Sequence, residues 1–116
     1  MSDTSLGDTD ALAAALGRLA ATIDDRASGD PSQSYTAKLL ARGPVHCAKK
    51  LGEEGVEAAL AVAAEGADET ASEAADLLYH LFVALRAKGV GLDAVAEKLA
   101  AREGVSGLVE KASRAE

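Results

Sequence analysis

Two helix-forming residues supply most of the apolar side chains of this chain, and this bias limits the folds open to it. Of 56 apolar residues, 27 are alanine and 15 are leucine, whereas only three residues are aromatic: Tyr35, Tyr79 and Phe82. Alanine and leucine lead the scale of helix propensity, and few β-branched residues are present to build strands. A β-sandwich or barrel is therefore excluded, and the lack of alternating strand and helix segments excludes Rossmann and P-loop folds. We predict an all-α fold.

Leucine spacing, glycine and proline divide the chain into helices. Leu12, Leu16, Leu19 and Ile23 recur at spacings of four, three and four, which places them on one helical face. The predicted helices run from an N-cap at Asp8 or Thr9 to about Arg26, from Tyr35 to Arg42, from about Val45 to Glu65, from a cap at Asp68 or Thr70 to about Lys88, and from Leu92 to Arg102, with one or two further turns between Val105 and Arg114. We expect residues 1–7 to be a flexible N-terminal extension. Residues 8–116 are expected to form a single antiparallel bundle of four to five helices, with Val95 and Leu99 facing inward.

Charge and hydropathy limit the location and the partners of the protein. No apolar run approaches the ~20 residues that cross a bilayer, so we expect no membrane segment. No secretory signal is visible, and Cys47 has no partner for an internal disulfide. We therefore expect a cytoplasmic protein. The net charge of −7 disfavours nucleic-acid binding, although a divalent cation can join an acidic chain to a small phosphorylated substrate. Because alanine-rich helices bury little area each, we also expect a homodimer or higher homo-oligomer that completes the core.

Two neighbouring predicted helices each carry a pair of carboxylates one turn apart. Glu54 and Glu57 are three residues apart on the first, and Glu73 and Asp76 repeat this spacing on the second. Such pairs share a helical face, with Cβ atoms about 5–6 Å apart, and a short connection lets the two helices pack with these faces opposed. Two like charges about 4 Å apart repel by about 4 kcal/mol at an effective dielectric constant of about 20. Oxygen ligands suit Mg²⁺ or Mn²⁺, so the four carboxylates are candidate ligands of such an ion.

The same residues also fit a purely structural role, and their spacing alone does not decide between the two. Thr70 and Glu73 match a capping box, in which the glutamate bonds a backbone N–H at the helix start. The glutamates of the first helix can form a solvated face, paired with lysines four residues earlier: Lys49–Glu53 and Lys50–Glu54. Gly55 favours a binding site slightly, because glycine inside a helix costs about 1 kcal/mol relative to alanine and permits close approach of a partner.

Three further side chains are chemically versatile. His80 follows Asp76 by four residues and either orients that carboxylate or is satisfied within the core. We expect His46 to be exposed at a helix start. Cys47 has no activating base beside it in the sequence, and we expect it to be a small core residue.

Several motifs resemble those of a known enzyme family. Glu54-x-x-Glu57, then fifteen residues, then Glu73-x-x-Asp76 matches the EXXE…EXXD pattern of the all-α nucleoside triphosphate pyrophosphohydrolase superfamily, which includes MazG-like enzymes and dimeric dUTPases. Four stretches narrow the resemblance to the phosphoribosyl-ATP pyrophosphohydrolase family of histidine biosynthesis: SYTAKLL from Ser34, KKLGEE from Lys49, ADLLYH from Ala75 and SGLVEKASR from Ser106. The resemblance extends from about Leu12 to Arg114. Gly55 departs from the alanine expected there, without removing a candidate ligand.

The resemblance implies a reaction, a cofactor and roles for the matching residues. It implies a MazG-like fold, a dimer or larger assembly, and hydrolysis of 1-(5-phosphoribosyl)-ATP to 1-(5-phosphoribosyl)-AMP and pyrophosphate, the second step of L-histidine biosynthesis. Mg²⁺, or Mn²⁺, held by Glu54, Glu57, Glu73 and Asp76 would neutralise the phosphates. Glu53, which neighbours these ligands, is our hypothesis for the general base. The remaining residues are expected to bind phosphate (Lys38, Lys49 and Lys50) or to contact the substrate (Ser34, Tyr35, Lys111 and Arg114).

Two other functions stay open at this point. A house-cleaning enzyme that hydrolyses non-standard nucleoside triphosphates would keep the metal site and change the substrate, but the SYTAKLL stretch and the tail favour the histidine-pathway family. A non-enzymatic helical dimerisation module has no reason to hold four like charges together, which argues against it.

Overall fold

The structure, a computed structural model, describes residues 5–105 together with residues 107, 108, 111 and 114, and every regular element in this part of the chain is a helix. In chain order the helices are α1 (Asp10–Arg26), α2 (Tyr35–Ala41), α3 (Pro44–Ala64), α4 (Ala67–Lys88) and α5 (Leu92–Ala101). The all-α prediction is confirmed, and most helix ends agree with the predicted ones to within one residue. Further turns were predicted between Val105 and Arg114, and the described residues 107, 108, 111 and 114 of this stretch are helical. Residues 106, 109, 110, 112 and 113 lie outside the described part of the chain.

The start of α4 differs from the prediction. Neither Asp68 nor Thr70 is the N-cap, because the helix begins at Ala67 with Gly66 as its N-cap. The Thr70 hydroxyl contacts the carbonyl oxygens of Ala61 at 3.0 Å and Gly66 at 2.8 Å, and it serves as a donor to the end of α3. A capping box between Thr70 and Glu73 is therefore ruled out, and Glu73 lies two turns inside α4.

Two glycines with positive φ make the tight connections that flank α3 and α4. Gly43 has φ 88° and is followed by Pro44 at the first position of α3, where a missing N–H costs nothing. Gly89 has φ 80° and ends α4, while the Val90 N–H donates to the Leu85 carbonyl at 3.0 Å, as in a Schellman motif. Both glycines lie where the sequence predicted a helix end.

The core lies where the first four helices meet. Its enclosed side chains form a cluster to which each of these helices contributes one residue: Ile23, Leu39, Cys47 and Val83. The Cys47 thiol donates to the Leu39 carbonyl at 3.2 Å, so Cys47 is a core residue as predicted. The most extensive contact between helices joins α3 and α4, as expected for two long helices with a short connection.

Several large apolar side chains lie on the surface of this single chain. Val56 is 61% exposed and Leu60 is 58% exposed, and their four-residue spacing puts them on one face of α3. Leu99 is 61% exposed, so the expectation that it faces inward is wrong for the isolated chain, and no described residue of α5 is buried. None of the described helices is both long enough and apolar enough to cross a membrane.

Candidate active site

Three glutamates from α3 and α4 converge, and we call them the acidic cluster: Glu54, Glu57 and Glu73. One carboxylate oxygen from each lies within 4.8 Å of the others. Glu54 and Glu57 share a face of α3 because they are one turn apart. The opposed packing of α4 brings Glu73 to them. Three of the four carboxylates predicted to be ligands are therefore brought together.

The electrostatics of the acidic cluster are unfavourable without a cation. Burial raises the pKa of Glu54, and the hydrogen bond and charge of Glu57 raise it further. Burial also raises the pKa of Glu73, followed by the charges of Glu57, Asp76 and Glu65. The Oε2 atoms of Glu54 and Glu73 are both buried without a hydrogen-bond partner in the described part of the chain. Buried oxygens of this kind normally have a partner, and a cation that prefers oxygen ligands, such as Mg²⁺, fits this donor set.

The fourth predicted ligand, Asp76, lies one turn beyond Glu73 and is exposed. It is not part of the converging group of three. Its charge nevertheless raises the pKa of both Glu54 and Glu73. Asp76 is therefore close enough for its charge to act on the acidic cluster, although it is not one of the three converging residues.

Glu53 is not one of the converging residues, and it pairs with a lysine. Its carboxylate lies 3.1 Å from the Lys50 ammonium, and this hydrogen bond and charge lower the pKa of Glu53. The lysine pairings expected from the sequence, Lys49–Glu53 and Lys50–Glu54, are not the ones formed, because Lys50 reaches Glu53 at the three-residue spacing. A lowered pKa makes the Glu53 carboxylate a weaker proton acceptor.

His80 lies beside the acidic cluster with one ring nitrogen unsatisfied. It is 7% exposed, and Nδ1 lies 2.9 Å from the Asp76 backbone carbonyl. Since a carbonyl oxygen only accepts, Nδ1 donates and Nε2 is left as a buried atom without a partner. The contact is to the main chain of Asp76, so His80 does not orient the Asp76 carboxylate. A charge on His80 would lower the pKa of Glu54, which shows that the two are close.

Cationic side chains line a cleft between α2 and α3, which we call the basic cleft. It has a volume of about 220 Å³ and is lined by Tyr35, Lys38, Leu39, Arg42, His46 and Lys50. Burial lowers the pKa of His46, as do the charges of Arg42, Lys49 and Lys50. Tyr35, Lys38 and Lys50 were predicted from the sequence, whereas Arg42 and His46 were missed. The only sequence signal for them is the four-residue interval that relates positions 38, 42, 46 and 50 across the Gly43–Pro44 break.

The other residues predicted to contact the substrate belong neither to the acidic cluster nor to the described lining of the basic cleft. The Ser34 hydroxyl is the N-cap of α2 and accepts from the Ala37 N–H at 3.2 Å. Lys49 is exposed and contributes its charge to the surroundings of His46 and Glu53. Lys111 and Arg114 are exposed residues of the tail, and neither is among the described lining residues of the basic cleft.

Comparison with known proteins gives one consistent match. The sequence model of the family described as Phosphoribosyl-ATP pyrophosphohydrolase matches residues 16–103. A Phosphoribosyl-ATP pyrophosphatase of Caulobacter vibrioides (strain NA1000 / CB15N) is 64% identical over 100 residues, which cover 86% of this chain and 92% of the relative. Proteins of the same name from Caulobacter sp. (strain K31) and Cereibacter sphaeroides (strain KD131 / KCTC 12085) are 64% and 57% identical over 99 residues, covering 85% of this chain and 92% and 96% of the relatives.

The five helices and the facing carboxylates of α3 and α4 define a MazG-like, all-helical class of hydrolase. Within this class, the chain belongs to the phosphoribosyl-ATP pyrophosphohydrolase family, which confirms the resemblance stated from the motifs. It is accordingly an enzyme that hydrolyses a phosphoanhydride bond.

Proposed function

We propose that this enzyme hydrolyses 1-(5-phosphoribosyl)-ATP to 1-(5-phosphoribosyl)-AMP and pyrophosphate, the second step of L-histidine biosynthesis. The observation that carries the proposal is the convergence of Glu54, Glu57 and Glu73 close to a basic cleft. The names of relatives up to 64% identical support the choice of substrate. A polyanionic substrate needs both features, because its phosphates repel the carboxylates unless cations lie between or beside them.

The acidic cluster is the proposed site of Mg²⁺, with Mn²⁺ as the other ion suited to six oxygen ligands. Glu54, Glu57 and Glu73 would supply ligand oxygens, and Asp76 would complete the set from one turn further along α4. When bound, the ion neutralises charge on the phosphates and polarises a phosphoryl oxygen. The buried Oε2 atoms of Glu54 and Glu73 support this role, because nothing else in the described chain satisfies them.

The protein's own side chains would orient the substrate. Lys38 and Lys50 would bind phosphate oxygens from the lining of the basic cleft, and Lys49 would add positive charge at its edge. Tyr35 would pack against the substrate, and Ser34, whose hydroxyl caps α2, would contact the substrate at the start of that helix. Lys111 and Arg114 would contact the substrate from the tail.

Glu53 stays the proposed general base, one residue before Glu54. To accept a proton from the attacking water, its carboxylate has to leave the ion pair with Lys50. If the Glu53→Gln variant turned over substrate at the wild-type rate, Glu53 would not be the general base.

Residues 8–116 are proposed to act as one domain that assembles into a homodimer or a larger homo-oligomer. The exposed Val56 and Leu60 on α3, and the lack of buried residues in α5, support an assembly that covers these surfaces.

The direct test is pyrophosphate release from phosphoribosyl-ATP, dITP and dUTP, each measured in Mg²⁺ and in EDTA. Wild type is compared with Glu73→Gln and with the control Glu97→Gln, which removes the same charge from an exposed position on α5. We expect Mg²⁺-dependent release from phosphoribosyl-ATP by wild type and by the control. Loss of one ligand from the acidic cluster should slow release by about 100-fold or more.

Other outcomes would contradict the proposal in different ways. Release from dITP or dUTP in preference to phosphoribosyl-ATP would keep the metal site and make the protein a house-cleaning enzyme. Full activity in EDTA would show that the reaction does not need a metal ion. If Glu73→Gln and Glu97→Gln slowed the reaction equally, the acidic cluster would have no specific role in catalysis.

A further inference from the structure

The basic cleft concentrates positive charge in a chain that is acidic overall. The whole chain has 12 basic and 19 acidic residues, yet no acidic residue is among the described lining residues of this cleft. Lys38 and Arg42 form no ion pair with a described acidic residue, and the partner of Lys50 is Glu53. Cations normally spread among acids on a surface, so a cleft that collects several of them without counter-charges is suited to an anion.

The geometry of the cleft suits a phosphate group attached to a larger molecule. A guanidinium, Arg42, and an imidazole, His46, can donate directed hydrogen bonds to phosphate oxygens, and Lys38 adds a point charge. Tyr35 lines the same space and offers an apolar ring face. The volume of about 220 Å³ admits a sugar phosphate and is small for an entire nucleoside triphosphate.

The basic cleft and the acidic cluster adjoin each other. Lys50 lines the cleft, and its charge interacts with Glu54 of the cluster. Tyr35, which also lines the cleft, has its ring centroid 6.2 Å from that of His80, and His80 in turn lies near Glu54. One extended molecule can therefore place one anionic group in the cleft while another lies over the acidic cluster.

We infer that the basic cleft binds the 5-phosphate of the added ribose, and that Arg42 and His46 make the enzyme select phosphoribosyl-ATP over ordinary nucleoside triphosphates. The inference rests on the proposed function. A phosphoribosyl nucleotide differs from ATP by carrying a second phosphate group away from its triphosphate. Two separate anion sites, one that works through a cation at the acidic cluster and one built from side-chain cations, match a substrate with two separate anionic groups.

The kinetic test compares phosphoribosyl-ATP with ATP as substrates of Arg42→Gln, His46→Gln and the double variant. We expect KM for phosphoribosyl-ATP to rise by about tenfold or more for each substitution, as for loss of one charge-assisted hydrogen bond. The ratio of kcat/KM for phosphoribosyl-ATP to kcat/KM for ATP should fall by a similar factor. Arg18→Gln removes the same charge from an exposed position on α1 and should leave that ratio unaltered, while Arg42→Lys should retain part of it.

A binding test separates this inference from the proposed function, because it needs no turnover. Ribose 5-phosphate is titrated into the metal-free protein in EDTA, and amide chemical shifts are followed by NMR. We expect saturable shifts in residues 35–50 that Arg42→Gln weakens about tenfold and Arg18→Gln does not. If ribose 5-phosphate binds there while phosphoribosyl-ATP is not hydrolysed, the proposed function fails and the cleft remains a sugar-phosphate site.

Three results would overturn the inference. An equal fall of kcat/KM for ATP and phosphoribosyl-ATP in the Arg42 and His46 variants would place the triphosphate itself in the cleft. If ribose 5-phosphate bound equally strongly to wild type and to the double variant, the basic cleft would not be its binding site. Circular dichroism of each variant checks that the helices are intact. If the double variant is folded and keeps the selectivity ratio of wild type, the inference is also contradicted.

Discussion

Two glutamates of the acidic cluster, Glu54 and Glu73, occupy positions that folding alone disfavours. Glu54 and Glu73 each bury one carboxylate oxygen without a hydrogen-bond partner, and both have neighbours of like charge. Burial and repulsion favour the neutral form of a carboxyl group, so in the metal-free protein each ionised glutamate works against the folded state. Strain of this kind is characteristic of sites kept for binding, and it relaxes when a cation arrives.

Substitution of Glu73 by glutamine should stabilise the metal-free protein. The change removes a charge from the acidic cluster and keeps the shape of the side chain, so we expect the free energy of unfolding in EDTA to rise. Wild type should gain stability from Mg²⁺, and the variant should gain little. Urea denaturation with and without Mg²⁺ measures both effects. The control Glu97→Gln should respond to Mg²⁺ as wild type does, and a destabilised Glu73→Gln in EDTA would contradict the argument.

The same two glutamates predict a pH dependence of stability in the metal-free protein. Because their folded-state pKa values lie above the ordinary value, the folded chain holds these protons more tightly than the unfolded chain. The stability that the folded chain gains from this tighter proton binding is fully present below the pKa of about 4.3 that these groups have in the unfolded chain. It is lost as pH rises through their raised pKa in the folded chain. The excess stability of Glu73→Gln over wild type should therefore grow with pH across this interval. Thermal melts in EDTA at a series of pH values test this, and a constant difference would contradict it.

One buried hydrogen bond joins α2 to α4 next to the site. The Thr36 hydroxyl, 6% exposed, bonds the Tyr79 hydroxyl. Tyr79→Phe would leave the Thr36 hydroxyl buried without its partner, which should lower the free energy of unfolding by about 1 kcal/mol. Thr36→Val should cost less in the Tyr79→Phe background than in wild type, because both polar groups are then gone. A double-mutant cycle by urea denaturation measures this coupling, and strictly additive effects would show that the bond contributes nothing.

At the scale of helices, two glycines that look alike in the sequence have opposite roles. Gly55 lies inside α3, and among the described residues a Cβ there would meet only the Leu77 side chain at 4.0 Å, an ordinary contact distance. The expectation that Gly55 serves close approach therefore finds no support in the described part of the chain. Gly89 ends α4 with φ 80°, a backbone conformation that side chains with a Cβ rarely adopt.

The two alanine substitutions should therefore change stability in opposite directions. Gly55→Ala should raise the free energy of unfolding by about 0.5–1 kcal/mol, because alanine favours the helix interior and loses less backbone entropy. Gly89→Ala should lower it by about 1 kcal/mol through strain at the end of α4. Chemical denaturation of both variants measures the pair. Destabilisation by Gly55→Ala would indicate that this face of α3 is covered closely by another copy of the chain.

Helix ends were predictable from the sequence where a glycine or proline dictates the backbone, as at Gly43, Pro44 and Gly89. The start of α4 was not, because Thr70 resembles an N-cap and only the packed structure shows its hydroxyl donating to the end of α3. Helical spacing together with opposed packing of α3 and α4 predicted the three glutamates of the acidic cluster, although Asp76, predicted with them, is not one of the converging residues. The basic cleft was not predicted, because Arg42 and His46 lie on either side of a helix break and their approach depends on the angle between α2 and α3.

At the scale of the whole molecule, the apolar surface exceeds what one chain can bury. The enclosed core is small and contains few large side chains, whereas Val56 and Leu60 form an exposed apolar pair on α3. Contiguous apolar surface of this kind normally marks an interface. A second copy of the chain is the partner that an alanine-rich sequence leads us to expect.

The assembly should therefore depend on Leu60. Wild type should sediment as two or more chains, and Leu60→Lys should shift the protein towards the monomer, because a buried lysine cation in an apolar interface is costly. Val62, 74% exposed, lies on the opposite side of α3 from Leu60, so Val62→Lys is the matched control and should keep the assembly. Sedimentation velocity measures the three proteins. A monomeric wild type, or loss of assembly in both variants, would contradict this placement of the interface.

The stacked tyrosines give the molecule a built-in optical reporter. The chain has two tyrosines and no tryptophan, and the rings of Tyr35 and Tyr79 lie 6.4 Å apart at an angle of 19°. Nearly all of the intrinsic ultraviolet emission of each chain must then originate beside the basic cleft. A ligand that enters the cleft meets one of the two emitters directly, so occupancy can be followed in the unmodified protein, without a dye and without turnover.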